Sequence, residues 1–219
     1  MYDKVLIQRV CDLTCSKEEV VRNQTTIKYD KDNPFRKYYS ISTIKGALEK
    51  FMSKEWDDQT LAHWACIYCW ILCGGFDYRN IKEDLNTFEK FCRDVIAWAL
   101  DGLSFFNSWT EEMKDIPELI QLFENYDKIW QTRNDWKAIY AMIGPFAEEN
   151  EEQYVLLVND KTKEYIIIYS DHLKNGFEDE HFRFVSRDNY ISLVEQLKND
   201  GYTMLSCSEE HYYTEIEDL

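Results

Sequence analysis

The sequence predicts an α+β protein: an N-terminal helical, bundle-like region followed by a mainly antiparallel sheet with one C-terminal helix. Three observations carry this. From Ser40 to about Thr132 apolar residues recur at three- and four-residue spacing, the period of helices packed on one face. Beyond Lys137 the apolar runs shorten to stretches such as Tyr154–Val158 and Tyr165–Tyr169, rich in Val, Ile and Tyr and bounded by turn residues, as strands are. Only seven Gly and three Pro occur in 219 residues, so few breaks interrupt either pattern.

Residues 1–38 are the least regular part. Ser16 with Glu19 three positions later makes a capping box, and Asp30-Lys-Asp-Asn-Pro34 reads as a turn. Ser42 is expected to cap a helix that turns Ile44, Leu48, Phe51 and Met52 inward. A second helix runs from near Asp57 to Cys73, where Gly74-Gly75 stop it. It is apolar nearly all round, which marks it as the central buried helix. A third, either continuous or broken, covers Asn80 to Leu103, with Ile81, Leu85, Phe88, Phe91, Cys92, Val95, Ile96 and Ala99 on one face. A fourth follows Trp109, has Pro117 near its start, and faces Leu119, Ile120, Phe123, Tyr126 and Ile129 inward.

The period then changes. Lys137–Met142 reads as a strand closed by Gly144-Pro145. Tyr154–Val158 and Tyr165–Tyr169 form a hairpin around Asn159–Lys163. Phe182–Val185 is a further strand. Ser186 or Asp188 caps a helix through Ile191, Val194 and Leu197 that Gly201 ends, and Tyr202–Ser206 is the last strand before an acidic tail. The natural division is a helical region, 1–135, and an acidic α+β region, 136–219. The junction holds no Gly or Pro, so the two are either separate domains or share a core through Trp130 and Trp136.

With 45% hydrophobic and 30% charged residues the chain is built to fold, not to stay disordered. Its longest apolar run, Trp64–Cys73, is about half the ~18 residues a membrane span needs. No Lys/Arg cluster suits anionic lipid. The first ten residues lack the basic-then-apolar order of a signal peptide. The seven cysteines, at 11, 15, 66, 69, 73, 92 and 207, are odd in number. Reduced thiols and a cytoplasmic location are the expectation.

His63, Cys66, Cys69 and Cys73 resemble a ligand set, but on one helix they span about 15 Å of axis at ~1.5 Å per residue. Zn–S and Zn–N bonds are only ~2.0–2.3 Å long. A buried thiol stripe is the better reading, with no metal and no cofactor. Cys66 and Cys69 lie mid-helix, where redox pairs are not placed. Cys11 and Cys15 are expected at the surface or half-buried. The tryptophans belong to the core, with Trp56, beside Asp57-Asp58, the one expected to be partly exposed.

No G-x-S-x-G, P-loop or G-x-G-x-x-G is present. Asp171-His172 and Glu178-Asp-Glu-His181 gather imidazoles and carboxylates that a hydrolase could use, given a third group such as Asp160 or Tyr169. Their spacing matches no ligand motif, and a solvated loop explains them. The chain therefore reads as non-enzymatic.

Charge is the more informative feature. Residues 1–135 carry 18 Lys/Arg against 23 Asp/Glu, and residues 136–219 carry 7 against 18. A net charge of −16 far exceeds the magnitude of ~2–8 that keeps a small domain soluble, and it costs self-repulsion. Steering of a cationic partner would repay that cost. The expected partner-binding residues are Glu149, Glu151 and Glu152; Phe177, Glu178, Asp179 and Glu180; and Glu209, Glu210, Tyr212 and Tyr213. The aromatic members act as anchors among the carboxylates. The implied partner is a basic protein, a toxin or nuclease domain, and the implied role is that of a bacterial immunity protein. A phage- or plasmid-encoded nucleic-acid mimic that blocks a defence nuclease shares these electrostatics, with carboxylates spaced like phosphates. A hydrolase built on His172 and His181 is the third reading. Direct nucleic-acid binding is excluded, because no basic stripe exists to neutralise phosphates.

Overall fold

The computed structural model describes residues 3–23, 27–75, 81–82, 84–110, 114–143, 152–169 and 181–205. It is α+β, with the helices preceding a five-stranded mixed sheet and one helix following the main strands. The chain divides into two compact units, Met1–Asp127 and Lys128–Leu219.

The first unit is organised around α5 (Asp58–Leu72), against which α1 (Lys4–Cys11), α2 (Lys17–Asn23), α3 (Pro34–Tyr38), α4 (Ile41–Met52) and α6 (Thr87–Leu103) all pack. Eleven of the fifteen α5 residues are buried, so the helix has no polar face and stands at the centre of the unit. Both ends are fixed by local chemistry. Asp57 is the N-cap: its carboxylate accepts from the Thr60 amide at 3.0 Å and from the Thr60 hydroxyl at 2.6 Å, and it pairs with Lys17. At the other end the Gly75 amide donates to the Trp70 carbonyl at 2.7 Å and the Gly74 amide to Ile71 at 3.3 Å, a Schellman closure. Gly75 has φ +88°, and a Cβ there would meet the Tyr29 ring at 2.7 Å. Both the conformation and the space demand glycine.

Lys17, then the Thr60 hydroxyl and amide, hold the Asp57 carboxyl down at about 2. A carboxyl more acidic in the fold than in the open chain, where it titrates near ~3.9, stabilises fully above that value and loses its contribution as pH falls toward 2. The acid limb of the first unit's stability between pH 4 and 2 is therefore expected to flatten in Asp57→Ala, with about 1 kcal/mol lost at neutral pH as a missing cap. Urea titrations from pH 2 to 7 check this. An unchanged acid limb would remove Asp57 from the account.

The Ser16 capping box forms as expected, with the Ser16 amide donating to Glu19 at 2.9 Å and the Glu19 amide to the Ser16 hydroxyl at 3.3 Å. Several other expectations are corrected. Helix α4 begins at Ile41 with Ser40 at its N-cap, two residues earlier than a cap at Ser42. Met52 is 49% exposed, not inward-facing. Helix α6 begins at Thr87, not at Asn80, because Asn86 and Glu89 build a complete capping box there. Residues 81–82 belong instead to an extended stretch, where Lys82 bridges Asp32. Trp56 is 4% exposed, packed 6.0 Å from Trp64 with Lys50 over its ring, so it belongs to the core. Cys15 is buried, against expectation, whereas Cys11 is half-buried as expected, and burial pushes the Cys11 thiol up to about 12.

Helix α7 (Ile116–Gln131) contains the division between the units, with Trp130 and Trp136 both buried in the second. In that unit β1 (Lys137–Ile143), β2 (Glu152–Asn159) and β3 (Glu164–Tyr169) form an antiparallel meander. β4 (Phe182–Phe184) adds parallel to β1 and β5 (Thr203–Met204) parallel to β3, giving the order β4-β1-β2-β3-β5. The β2–β3 hairpin turns because Asn159 Oδ1 accepts from the Lys161 and Thr162 amides, while Lys163 takes the left-handed conformation at φ 53°. Helix α8 (Arg187–Asn199), capped by Ser186, covers one face of the sheet. Tyr190 and Val194 pack there on Ala141, Leu156, Val158, Tyr165 and Ile167. Alternate residues, among them Ala138, Tyr140, Val155, Leu157, Ile166 and Ile168, are buried on the other face.

Candidate functional site

The second unit, Lys128–Leu219, carries 9 Lys/Arg and 19 Asp/Glu. Its described residues hold eight basic against seven acidic groups. Many of those groups neutralise one another. Lys128 pairs with Glu164 at 2.5 Å, Lys161 with Asp135 at 2.5 Å, and Lys137 with Asp160. The remaining twelve carboxylates belong to three segments that join or follow the strands.

Most of the predicted site residues fall in those segments. Glu149, Glu151, Phe177, Glu178, Asp179, Glu180, Glu209, Glu210, Tyr212 and Tyr213 lie outside the described residues, as do Asp171 and His172. Glu152 is the first residue of β2, paired in register with Ile143. What the fold does fix is where each segment attaches. Residues 144–151 connect β1 to β2 at the end of the sheet marked by Ile143 and Glu152. Residues 170–180 leave β3 at that same end, since Tyr169 pairs with Tyr154, and rejoin at the opposite one, where Phe182 pairs with Ala138. The Ala138 amide donates to the His181 carbonyl at 3.0 Å, which pins the residue after Glu180 beside the start of β1. Residues 206–219 follow β5, itself held on β3 through the Thr203 and Leu205 amides.

Between the carboxyl end of α8 and the Lys137 end of the sheet lies a groove of about 250 Å³. Ile139, Leu156, Val158, Leu193 and Leu197 make its apolar wall, and Lys137, Asp160, Gln196, Asp200 and Tyr202 its polar rim. The Tyr202 hydroxyl donates to Asp160 at 3.0 Å. Lys137 first, and Tyr202 with it, hold the Asp160 carboxyl below the usual range, while Asp160 pushes the Lys137 ammonium and the Tyr202 phenol up. Asp160 is thus an ionised acceptor. That is the opposite of the partly protonated acid a general-acid role would need.

Pattern reading missed this groove. Its residues are spread from Lys137 to Tyr202 and only the register and the seating of α8 bring them together; the one usable signal was Asp160 beside the hairpin turn. Among the described residues no group of three or more His, Cys, Asp or Glu is arranged to hold a metal ion, and no helix is long and apolar enough to cross a membrane. The Cys69 thiol donates to the Ala97 carbonyl at 3.3 Å within the core. No family model, curated protein or solved structure matches this chain.

Proposed function

We propose that the chain is a non-enzymatic cytoplasmic protein that captures and neutralises a basic protein, most concretely a bacterial immunity protein against a nuclease-type toxin. One observation carries the reading: twelve of the nineteen carboxylates from Lys128 onward cluster in the sequence stretches 144–151, 170–180 and 206–219, which hold a single Lys/Arg, Lys174. Acid in such excess over base attracts Arg and Lys on a partner over a Debye length of ~8 Å at physiological salt. Phe177, Tyr212 and Tyr213 lie within the same segments and supply flat anchors that resist dissociation once contact is made.

Co-expression with the product of the neighbouring reading frame tests the proposal. Growth arrest by that product is expected to be relieved by this chain. Replacing Glu178, Asp179 and Glu180 by Gln is expected to slow association at least tenfold at 50 mM salt, with less effect at 500 mM. A harmless neighbour product, or arrest that the chain does not relieve, would count against it, and turnover of any substrate by the purified chain would end it.

A further inference from the structure

We infer that the groove beneath the carboxyl end of α8 receives an arginine side chain of the basic partner; this rests on the binding role proposed above and names the contact. The groove has the amphipathic form of that side chain. Its wall of Ile139, Val158, Leu193 and Leu197 suits the three methylenes, which pack on apolar surface while the charged head stays at the mouth. At the mouth stand two carboxylates, Asp160 and Asp200. Among the described residues the Asp200 carboxylate accepts from the Gln196 amide at 3.5 Å, a long contact that leaves it accepting capacity. Asp160 receives Tyr202 and Lys137, and the Lys137 side chain is 71% exposed. A surface pair of that kind is weak and yields to a better donor. Guanidinium is that donor, because its planar fork bonds carboxylates in pairs where an ammonium makes point contacts.

Two lysines oppose the cation: Lys137, and Lys163, which lies 5.7 Å from the Tyr202 ring centroid and donates to the Asp200 carbonyl at 3.4 Å. The Asp160 and Asp200 carboxylates balance them in charge. A volume of about 250 Å³ accommodates one long side chain and is below the ~300–1,000 Å³ usual for small-molecule sites.

The test is an amide-proton NMR titration of the full chain at low salt with the peptide acetyl-Gly-Arg-Gly-amide, against the same peptide carrying citrulline, which keeps the shape and loses the charge. Saturable shifts are expected at Ile139, Leu193, Leu197 and Tyr202, with the citrulline peptide at least tenfold weaker. The double variant Asp160→Asn, Asp200→Asn, folded by its spectrum, is expected to lose at least tenfold in affinity for the arginine peptide. Equal binding of the two peptides overturns the assignment, as does an unaffected double variant. Shifts confined to residues 144–151, 170–180 and 206–219 also overturn it and leave the cation-binding role intact. No shift anywhere removes both.

Discussion

Trp64→Ala is expected to destabilise the first unit by about 3–5 kcal/mol, the range for deleting a large aromatic from a packed core. Trp64 is wholly buried on α5, stacked on Tyr68 with ring centroids 5.0 Å apart and set 6.0 Å from Trp56. Its indole also donates to the Val10 carbonyl at 3.2 Å, which ties α1 to the central helix. The substitution opens a cavity and removes one of two donors to the Val10 carbonyl, which keeps the Leu13 amide at 3.3 Å, so the cavity is the larger cost. Trp64→Phe retains most of the volume but not the donor, so its loss is expected to be smaller. Denaturation followed by helical circular dichroism measures both. A loss below about 1 kcal/mol for alanine would mean that α5 is not the organising element.

The second large effect is expected at Glu89. Its side chain is only 6% exposed, yet it accepts from Arg36 through both oxygens, at 2.8 and 2.9 Å, and from the Asn86 amide at 3.1 Å. One carboxylate thus closes the N-terminus of α6 and fastens α3 to it. Breaking a buried pair from one side costs about 3–5 kcal/mol. The Arg36 side chain is 37% exposed and keeps Asp84 at 3.3 Å, so it rehydrates in part and the lower end of that range applies. Glu89→Ala should therefore cost about 3 kcal/mol. Glu89→Gln should cost less, since an amide oxygen still accepts from Asn86. Equal losses for the two variants would show that charge, not capping geometry, carries the effect.

The elements legible in the chain are those whose ends carry their own chemistry. Asp57 and Gly74-Gly75 delimit α5, Ser186 and Gly201 delimit α8, and Asn159 with Lys163 turns the β2–β3 hairpin. The start of α6 was also written in the chain, as Asn86 with Glu89, but Ile81 and Leu85 continue the apolar spacing upstream and extend the apparent helix. Helices α1 and α3, of eight and five residues, are too short to hold by propensity and form because α5 gives them a surface. Trp56 shows the limit of reading adjacent residues: Asp57 and Asp58 suggest solvent, while the ring is 4% exposed, with Trp64 and Lys50 against it. The parallel placement of β4 and β5 rests on three and two residue pairs, which leave no periodic trace. For the candidate site, composition revealed the excess of acid, whereas the groove residues, spread from Lys137 to Tyr202, meet only through strand register and the seating of α8.

The burial of eleven of the fifteen α5 residues has a consequence for biosynthesis. A helix without a polar face cannot rest exposed in water, and its main partner, α6, lies downstream and ends at Leu103. At ~5–20 residues per second, the ribosome needs about 2–6 s to pass from Leu72 to that point. For those seconds the nascent segment presents an uncovered greasy cylinder, which makes it a natural client for a chaperone waiting at the exit tunnel.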